Sequence, residues 1–318
     1  MGGGKAEGDH VCLLILFPVR SMNNLHRLIL KSPAKINLFL EVLKKREDGY
    51  HEIFSLMQAV DLCDELILEK RKSGVAIGSD HPDCPSDESN LAFKAAKLIL
   101  KEAKVKEGVS IQIKKKIPVA AGLGGGSSNA ATTLKGINRL FELNLSNQKL
   151  HSLAIPIGSD VPFFLCPGPA LVRGRGEEIE PIIVYKDYWL VLMCPDFKVS
   201  TEWAYQNFKI DLTKERKKVN LKSWESQYGF FEALSHFEND LEKVVSGSYP
   251  AIQDIKDILK SSGAVKSSMS GSGPTVYGVF EQKPKAEEVA RSLSRTARDW
   301  SEGSREQVFL THPIPDSI

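Results

Sequence analysis

Four stretches of this 318-residue chain carry residues whose types and spacing suit chemistry on a phosphate. The densest is Pro118-Val-Ala-Ala-Gly-Leu-Gly-Gly-Gly-Ser-Ser-Asn129, with four glycines in five residues ahead of two serines. Glycines let backbone N–H groups approach an anion closely, and the positive end of a following helix adds to the attraction. Ser127 and Ser128 are candidates to cap that helix and to donate to phosphate oxygens. A plain turn would not require so many glycines. The loop is no Walker A motif, because no Gly-Lys-Ser/Thr follows, and Ser127 breaks Gly-x-Gly-x-x-Gly. A second cluster, Ser268-Met-Ser-Gly-Ser-Gly-Pro274, alone reads as a hairpin turn. Paired with the first, it suggests two glycine loops facing one polyphosphate. Ser32-Pro-Ala-Lys-Ile-Asn37 sets Lys35 and Asn37 on one strand face, and Gly158-Ser-Asp-Val-Pro-Phe-Phe164 presents Asp160. Taken singly, the lysine reads as solvent-exposed and the aspartate as an N-cap.

These stretches need elements to position them. Residues 28–43 alternate as a strand does, with Ile36, Leu38, Leu40 and Val42 on one face. Residues 53–69 predict a further strand pair. From Leu91 to Ala103 apolar residues recur at helical spacing behind a cap at Ser89 or Asn90. Val109, Ile111 and Ile113 predict a strand running into the first glycine loop. A helix then spans about Ser127 to Phe141, with Ala130, Leu134, Ile137 and Phe141 along one face. A second half opens with the apolar strand Trp189–Met193 and includes a helix through Ile252, Ile255 and Leu259 that stops at Gly263. The strand Thr275–Phe280, another helix and a strand over 307–310 follow. Residues 211–227 are charged and weakly patterned, which reads as a loop or exposed helix. This mixture of strands and helices is α+β rather than a doubly wound parallel sheet.

Length favours two domains, divided as an extension over 1–27, a first domain over 28–185 and a second over 186–318. Lysine and arginine number 42 against 40 acidic residues, so no basic surface for nucleic acid is expected. The run Lys114-Lys115-Lys116 reads as a solvated strand end. Five scattered cysteines without a Cys-x-x-Cys indicate reduced thiols in the cytoplasm. His81-Pro-Asp-Cys84 reads as a surface loop rather than half a zinc site. The apolar run Val11–Phe17 is too short to span a membrane, and no small-x-small cleavage site follows it.

In order and spacing, these four motifs resemble those of the GHMP kinases. Arg46-Glu-Asp-Gly-Tyr-His51 further resembles the base-recognition segment of the 4-diphosphocytidyl-2-C-methyl-D-erythritol kinase family, and Phe237-Glu-Asn-Asp-Leu-Glu242 resembles its Asn-Asp segment. The resemblance covers the chain from about Leu30 onward. It implies a ribosomal protein S5 domain 2-like first domain, a ferredoxin-like second domain and an active site between them. It implies Lys35 and Asp160 as the catalytic pair. It implies an ATP site of Asn90, Pro118, Gly122, Leu123, Gly124, Gly125, Gly126, Ser127 and Ser128, closed by Gly271, Ser272 and Gly273. Asn37, Tyr50, His51 and Tyr205 would bind a cytidylyl diphosphate substrate, with cytosine between Tyr50 and Tyr205. ATP is the expected donor with Mg2+, for which Ser128 is a candidate ligand; no protein metal cage is expected. The expected partner is that small molecule, not nucleic acid or membrane, and the protein is expected to be a monomer or weak homodimer. The alternatives are another GHMP kinase, acting on mevalonate-like or homoserine-like substrates, and a non-catalytic GHMP-like binding protein.

Overall fold

The computed structural model describes residues 25–166, 168–210, 221–299 and 306–314. The expected extension thus lies almost wholly outside the described residues, and Arg27 already opens the first strand. Strands β1 (Arg27–Lys45) and β2 (His51–Arg71) form a long antiparallel hairpin. The pair of strands expected over 53–69 is one continuous strand. Its two halves meet different neighbours, which is why the alternation breaks midway: 55–57 pair with β5 (Ala170–Arg173), and 65–71 with β4 (Gly108–Lys114). β3 (Val75–Ser79) runs parallel to β4, and β6 (Glu178–Pro181) pairs with β5.

Helices α1 (Leu91–Glu102), α2 (Gly125–Leu140) and α3 (Asn147–Ala154) cover one side of this sheet. Ala95, Ile99, Leu134 and Ile137 bury their apolar stripes against Leu66, Leu68, Ile111 and Ile113. Removing that surface from water is what drives the packing. α2 begins two residues before the expected Ser127. Its N-cap is Gly124 in a left-handed conformation with no side-chain cap bond, so neither serine caps it.

Strands β7 (Trp189–Cys194), β8 (Lys266–Met269), β9 (Val276–Phe280) and β10 (Gln307–Thr311) form a second sheet, ordered β10-β7-β9-β8 and antiparallel throughout. Helices α4 (Thr201–Asn207), α5 (Gln227–Ser235), α6 (Asp240–Ser248), α7 (Ala251–Ser261) and α8 (Lys283–Asp299) belong to this half. Of the charged stretch, 211–220 lies outside the described residues, and Leu221–Glu225 is a 3₁₀ turn. The whole is the α+β, two-domain architecture that the patterning implied.

A shared core joins the two sheets. Ile36, Leu38 and Leu56 pack with Leu190, Leu192 and Tyr277, and the buried Tyr277 hydroxyl donates to the carbonyls of Asn37 and Leu38. After β10 the chain returns to β2. The Ile314 amide bonds the Ala59 carbonyl at 3.0 Å, and Asp61 accepts from the His312 amide and the Thr311 hydroxyl. This contact fills a break in β2, since residues 61–62 fall between the pairings of Val60 and Cys63 with β1.

Candidate active site

The four motifs meet in one cleft of about 1340 Å³ between the two sheets. β1 supplies Lys35 and Asn37. Both are buried because register shifts beside them turn their side chains inward at a point where the strand is covered on both faces. Lys35 Nζ donates to Asn37 Oδ1 at 2.6 Å and lies 3.5 Å from Asp160 Oδ2. Asn37 is held in turn by Ser55, whose hydroxyl accepts from Asn37 Nδ2 at 2.8 Å and donates to the Phe39 carbonyl. Asp160 caps no helix. It stands on the loop before a 3₁₀ turn (Pro162–Leu165) that has no side-chain cap, and its side chain stays 30% exposed to the cleft while Lys35 is 5% exposed. A buried ammonium paired with a carboxylate that still reaches the cavity is a usable acid–base arrangement.

The first glycine loop wraps the N-terminus of α2 beside this pair. Gly122 (φ +77°) and Gly124 (φ +69°) are in the left-handed region. A Cβ on Gly122 would lie 2.3 Å from the Ser270 carbonyl, and one on Gly124 would lie 3.0 Å from Lys35 Cγ and 2.9 Å from Phe164. These glycines let the second loop and the lysine close in, whereas Gly126 has only Leu91 within 4 Å at the open side. Pro118, Gly122, Gly124, Gly125, Gly126 and Ser127 line the cleft. Leu123 and Ser128 do not. Leu123 is buried in the shared core, and the Ser128 hydroxyl accepts from Ser32 Oγ at 2.8 Å. The second loop brings Gly271, Ser272 and Gly273 to the opposite wall, where Ser272 shares a 2.8 Å hydroxyl bond with Thr201.

Beneath the first loop lie two charged residues, Lys115, expected to be solvated, and Asp64, which the sequence does not mark. Lys115 is no solvated strand end: its side chain is 4% exposed and pairs with the buried Asp64, and a Cβ on Gly125 would lie 3.1 Å from Lys115 Nζ. Asp64 also accepts from the amides of Lys116 and Ile117 and from Asn129, so its charge is fully hydrogen-bonded. The Lys115–Asp64 ion pair and the N-terminus of α2 therefore meet beneath the loop, and the positive end of a helix favours an anion. Nothing in the spacing marks Asp64, which is 51 residues away.

At one end of the cleft Asn90 caps α1, accepting from the Ala92 amide at 2.9 Å and donating to the Pro85 carbonyl at 2.7 Å. The His81–Cys84 turn is a surface loop, with Pro82 and Asp83 exposed and only its last residue turned inward. Cys84 is buried against Asn90 and lines the cleft, and Asp83 makes a 3.0 Å ion pair with Lys198. Among the described residues no cluster could hold a metal, and no disulfide joins Cys63, Cys84, Cys166 and Cys194.

The other end is aromatic. His51 stacks on Tyr205, with ring centroids 5.2 Å apart and planes 25° apart. Tyr50, half exposed, carries the Arg175 guanidinium over its ring at 4.9 Å. His51 is thus the ring that Tyr205 stacks on, and Tyr50, His51 and Tyr205 all line the cleft. Arg175, another residue that sequence reasoning missed, is set by its amide bonding Glu177 and its side chain bonding the Ile155 carbonyl. Burial, with the charge of Lys45, lowers the His51 pKa, so the ring is neutral near pH 7. Burial and the charge of Asp160 push the Tyr205 phenol well above its usual range.

Family models describe two segments of this chain, GHMP kinases N terminal domain at 90–168 and GHMP kinases C terminal at 226–299. A 4-diphosphocytidyl-2-C-methyl-D-erythritol kinase from Thermodesulfovibrio yellowstonii is 45% identical, over 82% of this chain and 92% of that protein. One from Syntrophus aciditrophicus is 44% identical over 83% and 94%. The chain belongs to the 4-diphosphocytidyl-2-C-methyl-D-erythritol kinase family of GHMP kinases. A crystal structure of a 4-(cytidine 5'-diphospho)-2C-methyl-D-erythritol kinase matches at TM-score 0.74 and 31% identity, covering 90% of this chain and all of that one. A homoserine kinase from Cytophaga hutchinsonii shares the fold at 0.69 and 21%. Family membership makes the chain a phosphotransferase with an alcohol acceptor, and GHMP kinases take ATP as donor. No described helix is long and apolar enough to cross a membrane.

Proposed function

We propose that the chain transfers the γ-phosphoryl group of ATP to the 2-hydroxyl of 4-diphosphocytidyl-2-C-methyl-D-erythritol. The observation that carries this reading is the Lys35–Asp160 pair, seated midway between the phosphate-binding loop and the aromatic end of one cleft. Asp160 accepts the hydroxyl proton as the substrate oxygen forms its bond to phosphorus and the bond to the bridging β,γ-oxygen breaks, releasing ADP. Lys35 orients the Asp160 carboxylate through their 3.5 Å ion pair and offsets charge on the phosphoryl group in transfer. Asn37 orients Lys35 through their 2.6 Å bond. The first glycine loop, the α2 N-terminus and Lys115 hold the nucleotide phosphates, with Asn90 at the adenine end.

The cytosine is recognised by Tyr50, His51 and Tyr205. Two six-membered faces and a neutral imidazole suit a flat base with a polar edge. A mevalonate-like acceptor would leave this wall without a function. Magnesium enters as the ATP complex, with water and phosphate oxygens as its ligands. Ser128 does not fit as a ligand, because its hydroxyl is turned onto Ser32 and away from the cleft.

The test is ATP-dependent ADP release with the cytidylyl substrate, with mevalonate and homoserine as controls. Turnover with the cytidylyl compound alone is expected, together with a loss of about a hundredfold or more in Asp160→Asn. Turnover with a control alone would discard the base-binding assignment. Near-normal turnover in Asp160→Asn would remove Asp160 from the mechanism.

A further inference from the structure

The segment Phe237–Glu242, noted for its Asn-Asp pair, lies outside the catalytic pair yet touches everything that frames it. Asn239 caps α6 by accepting from the Leu241 amide at 3.1 Å. Its side-chain nitrogen donates to the carbonyls of Met269 and Gly271, both at 2.8 Å, inside the second glycine loop. The same segment grips β1. The Leu40 amide bonds the Glu238 carbonyl at 2.9 Å, and the Val42 amide bonds Asp240 Oδ2 at 2.8 Å. One short stretch therefore fixes the loop relative to the strand that carries Lys35. The two are in contact, since a Cβ on Gly271 would lie 3.2 Å from Lys35 Nζ and 3.4 Å from Asn37 Oδ1.

Backbone accounting in this loop leaves a remainder. The Met269 amide donates to Glu242, Ser270 to the Thr275 carbonyl, Gly273 to the Ser270 carbonyl and Thr275 to the Ala121 carbonyl. Asn239 takes two of the carbonyls. The amides of Gly271 and Ser272 donate to no group among the described residues, although both residues are buried and line the cleft. N–H groups that no protein acceptor takes, in residues lining a cleft, are open to a ligand. Two successive amides around a left-handed glycine (Gly271, φ +59°) make a concave anion site.

We propose that Asn239 is a positioning residue, and that the Gly271 and Ser272 amides it leaves unpaired bind oxygens of the phosphoryl group in transfer beside Lys35. This deepens the kinase reading and rests on it. By tying the loop's carbonyls to α6, Asn239 keeps negative oxygen dipoles off the anion and presents the N–H groups instead.

Asn239→Asp tests the assignment cleanly, because aspartate keeps the cap oxygen and loses both donor bonds. Asn239→Ser is the second variant should the first fail to fold. The expected result is a fall in kcat of at least about tenfold, with both KM values within about threefold and a melting temperature lowered by a few degrees, since two buried hydrogen bonds are lost. In the unaltered protein, amide exchange at 271–272 should slow on adding the magnesium complex of the β,γ-imido analogue of ATP. A kcat within about twofold of the parent, a loss confined to KM, or unchanged exchange would each overturn the proposal. Failure of the parent protein to use the cytidylyl acceptor would instead overturn the function above, leaving the exchange measurement to decide the loop.

Discussion

Gly122→Ala should separate the two glycine loops, and the structure allows the cost to be worked out. At φ +77° an alanine carries left-handed strain of about 1 kcal/mol. Its Cβ would stand 2.3 Å from the Ser270 carbonyl and 2.9 Å from that of Gly273. Both obstacles are backbone, so no side chain can swing aside, and the loops must part by roughly 1 Å to reach ordinary contact. That movement stretches the Ser270 hydroxyl bond to the Gly122 carbonyl, now 3.1 Å, and the 3.3 Å bond from the Thr275 amide to Ala121. At about 1 kcal/mol each, the total destabilisation is about 3 kcal/mol. For a chain of this size, melting should fall by about 4 °C. Displacing the loop by this much beside Lys35 should reduce turnover about a hundredfold. Gly126→Ala is the internal control, since its nearest neighbour is 3.9 Å away and its φ is not left-handed. Its melting temperature should hold or rise slightly, by the gain expected when alanine replaces a helical glycine. Calorimetry and steady-state kinetics on both variants decide the matter. Equal melting temperatures for the two, or a Gly122→Ala enzyme within about threefold of normal turnover, would refute the steric argument.

Three further outcomes follow from the same geometry. Lys115→Met leaves Asp64 buried without its cation, and should cost about 3 kcal/mol in denaturant unfolding while raising the KM for ATP; the variant Lys115→Met/Asp64→Asn should recover most of the stability. Because the folded site lowers the His51 pKa, only the unfolded chain takes up this proton as pH drops through about 6.5. Stability should fall below that pH, affinity for the cytidylyl substrate should fall only at lower pH as the folded ring itself takes up the proton, and His51→Asn should flatten both profiles. Arg175→Met removes the cation over Tyr50 but keeps bulk, and isothermal titration should show the cytidylyl substrate weakened about threefold to tenfold with ATP unaffected.

What was legible in the sequence was what is local. The alternation from Ile36 to Val42, the stripe Ala130–Leu134–Ile137 and the glycine runs each report their own element, and they place the loops where the structure has them. Lys35 and Asp160 were recognisable through the order of motifs, although each alone resembled a surface lysine or a cap. Most of the misreadings involve partners distant in sequence. Lys115 looked solvated because Asp64 sits on another strand. The Ser127–Ser128 pair looked like a cap because nothing local shows that a left-handed Gly124 starts the helix. β2 looked like two strands because its neighbours change along its length. The His51–Tyr205 stack went unforeseen for a similar reason, as the turn 46–50 decides how His51, at the start of β2, meets α4.

The return of the chain to β2 sets a schedule for biosynthesis. Asp61 meets Thr311 across a separation of 250 residues, which a ribosome takes roughly ten to fifty seconds to add. Throughout that interval the break in β2 beside Ala59 and Asp61 has no strand to fill it, and the hydrophobic cluster that ends in Ile314 lacks its last member. The nascent first half therefore lacks these contacts until residues 311–314 emerge. Arrival of residues 311–314 closes that seam, so the open sheet is the vulnerable stage of synthesis, and a translational stall before β10 would leave it exposed to aggregation.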